Sequence, residues 1–324
     1  MRAVVCEHLG SPETLCLRDF DIGPPGPDEV RLRIEACGIN FPDLLIIAGK
    51  YQDQPELPFI PCGEVAGTVE SVGANVEEFK AGDAVMAITY TGGLAECVNV
   101  NSARVHRRPA GMSAITAAAF PGVFGTSYHA LKQRAKLRAG ETLLVLGAAG
   151  GVGHAAVQLG ASMGARVIAA VSSDEKKDYL LSHGAGEVIN YQSCELRESV
   201  KALTGGRGAD VIYDPVGGDL FNQAMRCINW NGRLLVVGFA SGQIPSLSVN
   251  LALLKGVSIV GVFYGRFEKE QASEATQNMA ELGRLFEAGR IAPSIHQVYP
   301  LEQFADALNA LTSRSVIGKV IVTI

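Results

Sequence analysis

The pattern of apolar and polar residues changes its period near residue 120. Before that point, short runs at 30–34, 65–72 and 84–88 lie between turns rich in glycine and proline, and the first of them alternates apolar with polar residues. Such alternation is typical of half-buried antiparallel strands. The first part of the chain therefore predicts a β-rich domain.

After residue 120, apolar runs alternate with patterns of helical period. The predicted strands lie at 143–147, 166–171, 187–190, 210–214, 233–238 and 258–263, and helices at 152–163, 174–183, 195–203 and 219–228 connect the first five. Strands joined by helical crossovers predict a doubly wound parallel sheet. Two later helices at 268–288 and 302–312 precede a strand at 318–322. We expect this last strand to return to the first domain, so that the α/β domain is inserted into a discontinuous β-rich one.

The segment LLVLGAAGGVG, residues 143–153, carries the clearest chemical signal. An apolar strand enters a turn of small residues, and a helix follows. The pattern Ala148-x-Gly150-x-x-Gly153 resembles a dinucleotide-binding turn, with alanine at the first glycine. The backbone of such a turn can approach a diphosphate closely, while the N-terminus of the helix stabilises its negative charge.

The end of the next strand favours NADPH over NADH. An NAD-binding unit usually places a carboxylate there, to bind the ribose 2′-hydroxyl. Here Val171 is followed by Ser172 and Ser173, with Lys176 and Lys177 close behind. Hydroxyls and a lysine suit a 2′-phosphate, because they donate hydrogen bonds and positive charge. The alternative is that both lysines belong to a solvated helix face.

Composition narrows the function classes. A chain of 324 residues is too long for one ordinary core, so we expect two domains, and 48% hydrophobic with 19% charged residues is a globular composition. The net charge of −5 disfavours nucleic-acid binding, which relies on Lys and Arg at the phosphates. No apolar run is long enough for a membrane helix, and the first ten residues show no signal-peptide pattern. Seven cysteines are dispersed without a C-x-x-C pair, as in reduced cytosolic proteins. We expect a cytoplasmic protein.

A family resemblance rests on motifs spread along the whole chain. They are GINFPD at 38–43, GKY at 49–51, PCGEVAG at 61–67, KAGD at 80–83, AAGGVG at 148–153, DPVGG at 214–218 and VGFASG at 237–242. In this order they resemble the zinc-independent quinone oxidoreductases of the medium-chain dehydrogenase/reductase superfamily. The resemblance implies a GroES-like catalytic domain at 1–121 and 265–324, and an NADPH-binding Rossmann domain at 122–264.

Two departures point to the branch without zinc. Zinc-dependent relatives place a cysteine ligand where this chain has Asn40 and a histidine where it has Gly63. Neither residue is a zinc ligand, since zinc binds thiolate, imidazole or carboxylate groups. Cys37 and Cys62 lie near these positions, and we interpret them as small buried hydrophobic residues. We predict no metal site.

The resemblance implies reduction of a quinone by electron or hydride transfer from NADPH, without a metal. Quinones already accept electrons, so they need less activation than an alcohol that must be oxidised. Two alternatives remain. One is a reductase of the double bond in a 2-alkenal or an enoyl-CoA, and the other is a non-catalytic protein that binds NADPH or RNA.

The resemblance also implies site residues. Asn40 and Tyr51 are the implied catalytic residues, as donors to a carbonyl oxygen that gains charge, with Tyr51 the first choice for a general acid. The implied cofactor contacts are Asn40, Thr126, Gly150, Gly151, Val152, Gly153, Ser172, Lys176, Tyr191, Phe239, Ser241, Phe263, Tyr264 and Lys319.

Several of these roles have alternatives. Tyr51 and Tyr191 could be ordinary structural tyrosines, Phe263 and Tyr264 could pack in the core or in a dimer, and Lys319 could be a solvated lysine. The predicted strand at 258–263 lies near a sheet edge, and exposed edges are usually covered or paired. Together with the resemblance, this predicts a homodimer through the edge strands of the Rossmann domain.

Overall fold

The computed structural model describes residues 1–313 and 315–324, and this part of the chain divides into two compact units. The first unit comprises Met1–Gly122 and Ala292–Ile324, and the second comprises Val123–Ile291. The second is thus inserted in the sequence of the first. This confirms the predicted architecture of an α/β domain within a discontinuous β-rich domain.

The strands follow one another along the chain as β1 (Arg2–Val5), β2 (Cys16–Asp19), β3 (Glu29–Ile39), β4 (Glu64–Val72), β5 (Ala84–Ile88), β6 (Cys97–Asn101), β7 (Val105–Arg107), β8 (Thr142–Leu146), β9 (Arg166–Val171), β10 (Glu187–Asn190), β11 (Ala209–Asp214), β12 (Ile228–Val236), β13 (Ser258–Gly261), β14 (Ile295–Pro300) and β15 (Lys319–Thr323).

The helices are α1 (Phe41–Ile47), α2 (Ala114–Ala117), α3 (Pro121–His129), α4 (Gly151–Ser162), α5 (Lys177–Ser182), α6 (Leu196–Leu203), α7 (Gly218–Cys227), α8 (Val249–Lys255), α9 (Tyr264–Glu270), α10 (Ala272–Glu287) and α11 (Phe304–Ala310). None of the described helices combines the length and the apolar character needed to cross a membrane.

The first unit is built on a mixed sheet with the strand order β14-β15-β3-β4-β5-β7, and β6 also pairs with β3. The last strand, β15, pairs antiparallel with β3, with Ile321 opposite Gly38. This confirms that the C-terminal strand returns to the first domain. Alternate residues of β3 point into a core of aliphatic side chains that includes Leu32, Val65 and Val320.

The second unit is built on a parallel sheet with the order β10-β9-β8-β11-β12-β13. Its central strand β8 is buried along its whole length, and it reads as a nearly continuous apolar run for that reason. The chain leaves β8 in one direction to β9 and later returns on the other side as β11. In doubly wound sheets, ligands bind outside the carboxyl ends of the strands at this reversal.

The end of the second unit differs from the sequence analysis, which ended it at residue 264. The unit extends to Ile291, because α10 packs on the segment that follows α3. Lys132 forms an ion pair with Glu281 at 2.6 Å, and the amide of Gln133 donates to Asn278 at 3.0 Å. Polar contacts of this kind across more than 140 residues leave no periodic trace in the sequence.

The predicted helix at 268–288 is two helices, α9 and α10, separated at Gln271. The backbone of Gln271 lies outside the helical region, at φ −133° and ψ 48°. The first of the two also begins earlier, at Tyr264, so the preceding strand β13 ends at Gly261 instead of Phe263. The predicted helix at 174–183 begins with a 3₁₀ turn at Asp174–Lys176.

Candidate functional site

The glycines of the turn after β8 differ in what the structure requires of them. Gly147 has a φ of +57°, which starts the turn, and Gly150 precedes the first turn of α4. A Cβ on Gly153 would lie 2.3 Å from the carbonyl oxygen of Gly147, so only glycine fits there. A Cβ on Gly150 would meet nothing closer than 3.5 Å. The close packing is therefore at Gly153, while the space beside Gly150 is open.

The turn leads directly into α4, a helix of 12 residues. The first N–H groups of a helix have no partner within it, and they carry partial positive charge. Gly151, Val152 and Gly153 supply these groups. The structure gives the tight-turn role to Gly147 instead of Ala148, the predicted first position of the motif. The sequence alone does not reveal the positive φ of Gly147.

Lys176 lies in the 3₁₀ turn that follows β9, and its residue is only 7% exposed. This contradicts the solvated interpretation of Lys176, while Lys177, the next residue, is exposed as that interpretation expects. Burial lowers the pKa of the Lys176 ammonium, and Glu175 partly opposes the shift. A cation held in such a place gains most from an anion, because it is already partly desolvated.

Two further candidates follow the carboxyl ends of neighbouring strands. Ser172 comes directly after β9, and Tyr191 directly after β10, where its N–H donates to the carbonyl of Val171 at 3.0 Å. Both residues are half-buried. Since parallel strands end at one edge of the sheet, Ser172 and Tyr191 share the edge that carries the glycine turn.

The carboxyl end of β11 forms a second turn at this edge. The Asp214 carboxylate accepts hydrogen bonds from the N–H groups of Val216 and Gly217, at 2.8 and 2.9 Å. Burial raises the pKa of Asp214, and these two bonds oppose that shift. The motif DPVGG at 214–218 had no predicted role from the sequence. Its function in the fold is to shape the turn, because Gly217 and Gly218 both have positive φ.

The loop after β12 folds against that turn and brings Phe239 and Ser241 to the same edge. A Cβ on Gly217 would lie 3.0 Å from the Phe239 ring, and one on Gly218 would lie 2.9 Å from the Ser241 hydroxyl oxygen. The N–H of Gly218 donates to the carbonyl of Gln243 at 3.1 Å. Glycines at 217 and 218 thus allow the loop to approach.

The two aromatic residues after β13, Phe263 and Tyr264, lie in different environments. Phe263 is 48% exposed, whereas Tyr264 packs on α3, where a Cβ on Gly125 would lie 2.3 Å from the tyrosine oxygen. Thr126, the next residue of α3, is half-buried. The structure therefore brings Tyr264 and the helix of Thr126 together and leaves Phe263 at the surface of this unit.

In the first unit, four polar residues form one cluster: Asp43, Glu64 and Lys319, which are buried, and Asn40, which is half-buried. The Lys319 ammonium donates to Glu64 Oε2 at 2.8 Å and to Asn40 Oδ1 at 2.7 Å, and the Asn40 amide donates to Glu64 Oε2 at 2.9 Å. The Lys319 side chain is 4% exposed, so the solvated alternative is wrong.

Glu64 and Asp43 are the members of this cluster that the sequence analysis missed. A signal was present: Glu64 and Lys319 each open an apolar strand, β4 and β15, and they carry opposite charges. A buried charge requires a partner. Asp43 lies in the first turn of α1, where burial raises the pKa of its carboxyl to about 6.

Tyr51 follows α1 and is half-buried beside the core of the first unit. Burial raises the pKa of its hydroxyl above the ordinary value. The hydroxyl therefore stays protonated at neutral pH and can donate a hydrogen bond, as the sequence analysis expects.

The cysteines near the zinc positions of the relatives are buried. Cys37 and Cys62 lie in the core of the first unit, and burial raises the pKa of the Cys62 thiol well above its usual value. Among residues 1–313 and 315–324, no group of three or more His, Cys, Asp or Glu side chains could hold a metal ion.

Two family models match the chain. The model described as the alcohol dehydrogenase GroES-like domain matches residues 26–138, and the one described as zinc-binding dehydrogenase matches residues 151–281. Among curated proteins, quinone oxidoreductase-like protein 2 of Bos taurus is 38% identical over 100% of this chain and 92% of its own length. Human quinone oxidoreductase is 34% identical over 99% and 97%.

Solved structures resemble the chain over its full length. The quinone oxidoreductase of Escherichia coli, complexed with NADPH, has a TM-score of 0.93 at 30% identity, covering 100% of both chains. The quinone oxidoreductase of Thermus thermophilus, also solved with NADPH, has a TM-score of 0.85 at 35% identity, again covering 100% of both. The chain therefore belongs to the quinone oxidoreductase branch of the medium-chain dehydrogenase/reductase superfamily.

Proposed function

We propose that this protein reduces quinones with NADPH and without a metal ion. The observation that carries the cofactor assignment is the buried Lys176, which follows the second strand of a doubly wound sheet beside its glycine turn. The substrate assignment is supported by the full-length likeness to quinone oxidoreductases. When bound, NADPH would supply the reducing electrons, and the protein would position the cofactor against the substrate.

The carboxyl edge of the parallel sheet fits the cofactor. In this proposal, the N–H groups of Gly151, Val152 and Gly153 bind the diphosphate. The N–H of Gly150 donates to the carbonyl of Gly147 at 3.0 Å, and Gly150 contributes the open space that allows the diphosphate to approach closely. Ser172 and Lys176 bind the 2′-phosphate, and Tyr191 borders the adenosine. Thr126, Phe239, Ser241, Phe263 and Tyr264 are proposed contacts of the remaining cofactor.

Asn40 and Tyr51 are the proposed donors to the substrate. A carbonyl oxygen of a quinone gains negative charge as it is reduced, and oriented N–H or O–H donors stabilise that charge. The Tyr51 hydroxyl, whose pKa is raised, remains a donor at neutral pH. We infer no further proton donor.

The proposal of a metal-free reaction is supported by what lies beside Asn40. The Lys319 ammonium donates to the Asn40 side chain at 2.7 Å, and a divalent cation at this position would face a positive charge at close range. Elemental analysis of the purified protein should find no stoichiometric zinc. One zinc per chain would contradict this part of the proposal.

A panel of electron acceptors tests the substrate assignment. NADPH absorbance would be followed with simple quinones, a bulky ortho-quinone, an alkenal and an enoyl-CoA, each repeated with NADH. We expect the quinones to be reduced and NADPH to be preferred. Turnover of the alkenal or the enoyl-CoA alone would move the protein to the double-bond reductases, and tight binding of NADPH without any turnover would indicate a non-catalytic role.

We also propose a homodimer. Strand β13 is one of the two edge strands of the parallel sheet in the described residues, and α8 precedes it. Val249 and Leu253 of α8 are 77% and 78% exposed, and Trp230 is also exposed. An open strand edge beside exposed apolar side chains is typical of an interface. A second copy of the chain, paired through β13, would cover both features.

A further inference from the structure

Lys319 has no hydrogen left for a ligand. An ammonium has three N–H groups, and those of Lys319 donate to the Ile39 carbonyl, to Asn40 Oδ1 and to Glu64 Oε2, at 2.8, 2.7 and 2.8 Å. Within the described structure, all its donors are used inside the protein. Any effect of Lys319 on a reaction therefore passes through the residues that it binds.

The chemistry of the two partners fixes the orientation of the Asn40 amide. Lysine only donates hydrogen bonds, and an ionised carboxylate only accepts them. The Asn40 oxygen must therefore face Lys319, and its nitrogen must face Glu64. Rotating the amide by half a turn would place N–H against the ammonium and oxygen against the carboxylate, so both contacts would become repulsive.

The carboxylate of Glu64 is itself held in place. Its second oxygen, Oε1, accepts a hydrogen bond from the N–H of Gly122 at 2.7 Å. A Cβ on Gly122 would lie 3.0 Å from the carboxylate, so a side chain there would crowd this approach. The Glu64 side chain is 2% exposed. A buried ion pair of this kind contributes little net stability, because desolvation offsets the attraction, but it can specify a geometry.

The backbone of Asn40 is fixed independently. Its N–H donates to Asp43 Oδ2 at 2.7 Å, which places Asn40 at the start of α1. The main chain and the side-chain amide are thus both constrained. The bond to Glu64 uses one of the two amide N–H groups of the half-buried Asn40. The second N–H remains as an oriented donor.

We propose that Lys319 and Glu64 are positioning residues for Asn40, which lock its side-chain amide so that one N–H is presented to the carbonyl oxygen of the substrate. The proposal rests on the proposed function, in which Asn40 stabilises that oxygen. Preorganised donors of this kind are effective because they need not reorient as charge develops. This assigns to Lys319 a role through Asn40 instead of contact with the cofactor.

A double-mutant cycle tests this proposal in quinone reduction by NADPH. Lys319→Met should lower kcat by about 10- to 100-fold, which is less than the roughly 100- to 1,000-fold cost of removing an oriented donor, because the Asn40 amide is still present but no longer held. The Kd of NADPH should change by less than about twofold, because no cofactor contact is lost. In an Asn40→Ala background, the same change should cause no further loss. Losses that multiply, or an NADPH Kd that rises as far as kcat falls, would overturn the proposal.

Lys132→Met is the matched control. It breaks the Lys132–Glu281 ion pair of the second unit, and we expect kcat to stay near that of the wild type. Thermal unfolding of each variant gives the folded fraction by which rates are normalised. Glu64→Gln, which keeps the shape of the side chain, serves where Lys319→Met does not fold.

A second readout does not depend on activity. In ¹⁵N-labelled protein, the Asn40 side-chain amide is identified as the signal that Asn40→Ala removes. We expect its N–H protons to have distinct shifts and slow exchange in the wild type, and to approach free-amide values in Glu64→Leu, which removes the acceptor oxygen. A freely exchanging Asn40 amide in the wild type would refute the lock. A protein that shows the lock yet reduces no quinone would refute the proposed function alone.

Discussion

Among single residues, Lys176 is the one that we expect to discriminate most strongly between NADPH and NADH. Its burial beside the carboxyl end of β9 favours an anionic partner, and only NADPH carries a 2′-phosphate there. Lys176→Ala should weaken NADPH binding by about 10- to 100-fold, as expected for one charge-assisted hydrogen bond, and leave NADH binding nearly unchanged. Titration of both cofactors by fluorescence measures this difference.

Lys177→Ala is the control for this prediction, because Lys177 is the same residue type, one position along, and exposed. We expect it to change neither affinity appreciably. Equal losses of NADPH and NADH in the Lys176 variant would show that the residue supports the fold of the turn and does not read the phosphate.

Asp43 predicts a pH dependence of stability. Burial raises the pKa of its carboxyl from 3.8 to about 6, so the folded state holds the proton more tightly than the unfolded state. The resulting stabilisation is present below about pH 4 and is lost as the pH rises through about 6. Asp43→Asn, neutral at every pH, should gain up to about 3 kcal/mol relative to the wild type across this range.

Urea unfolding of the wild type and Asp43→Asn between these pH values measures the difference. Other titrating groups are common to both proteins and cancel. A difference in the free energy of unfolding that does not vary with pH would mean that the Asp43 carboxyl has the same pKa in the folded and unfolded states, and it would contradict the raised pKa.

At the scale of the element, the strand–turn–helix of β8 and α4 combines packing with cofactor approach, and two glycines separate these effects. Gly153→Ala places a Cβ 2.3 Å from a backbone oxygen. We expect it to lower the free energy of unfolding by about 1–3 kcal/mol, as overpacking does, and to weaken NADPH binding as well. Thermal unfolding and cofactor titration on the same samples measure both.

Gly150→Ala is the matched variant, since the residue has an ordinary φ of −73° and the atom nearest to the added Cβ lies 3.5 Å away. It should cost less than about 1 kcal/mol in stability, yet weaken NADPH binding, because the methyl group occupies the space where the diphosphate approaches. Unchanged affinity in this variant would place the diphosphate elsewhere.

The sequence predicted those elements whose pattern is local. Strands β8 to β11 and the helix after the glycine turn follow from short apolar runs, small residues and helical period. The break at Gln271 was missed, because no proline or glycine marks it. The Asn40–Glu64–Lys319 cluster was missed as a unit because its members come from three distant segments, and only the pairing of β15 with β3 and of β3 with β4 brings them together.

At the scale of the whole molecule, the sequence predicted the insertion of one domain in the other but ended the inserted domain too early. Tyr264 to Ile291 belong to the α/β unit, where Glu281 accepts hydrogen bonds from Tyr128 and Lys132, both at 2.6 Å. The helical period of α10 predicts that one face of the helix packs on a hydrophobic core. It does not say which of the two domains supplies that core.

The exposed apolar residues of α8 lead to a prediction about assembly. If a second copy covers α8 and β13, charges introduced there should separate the copies. The double variant Val249→Glu and Leu253→Glu should sediment as a monomer, whereas the wild type should sediment as a dimer. Leu181→Glu, on an exposed position of α5, is the control and should remain dimeric. A monomeric wild type would contradict the proposed interface.

The reaction itself is the most direct test of NADPH-dependent quinone reduction by this protein. Under anaerobic conditions, the wild-type protein would be mixed with NADPH and a simple quinone, and the quinol formed would be measured against the NADPH consumed. We expect protein-dependent formation of one quinol for each NADPH, at a higher rate than with the same concentration of NADH. Consumption no faster than in the absence of the protein, or equal rates with both cofactors, would contradict it.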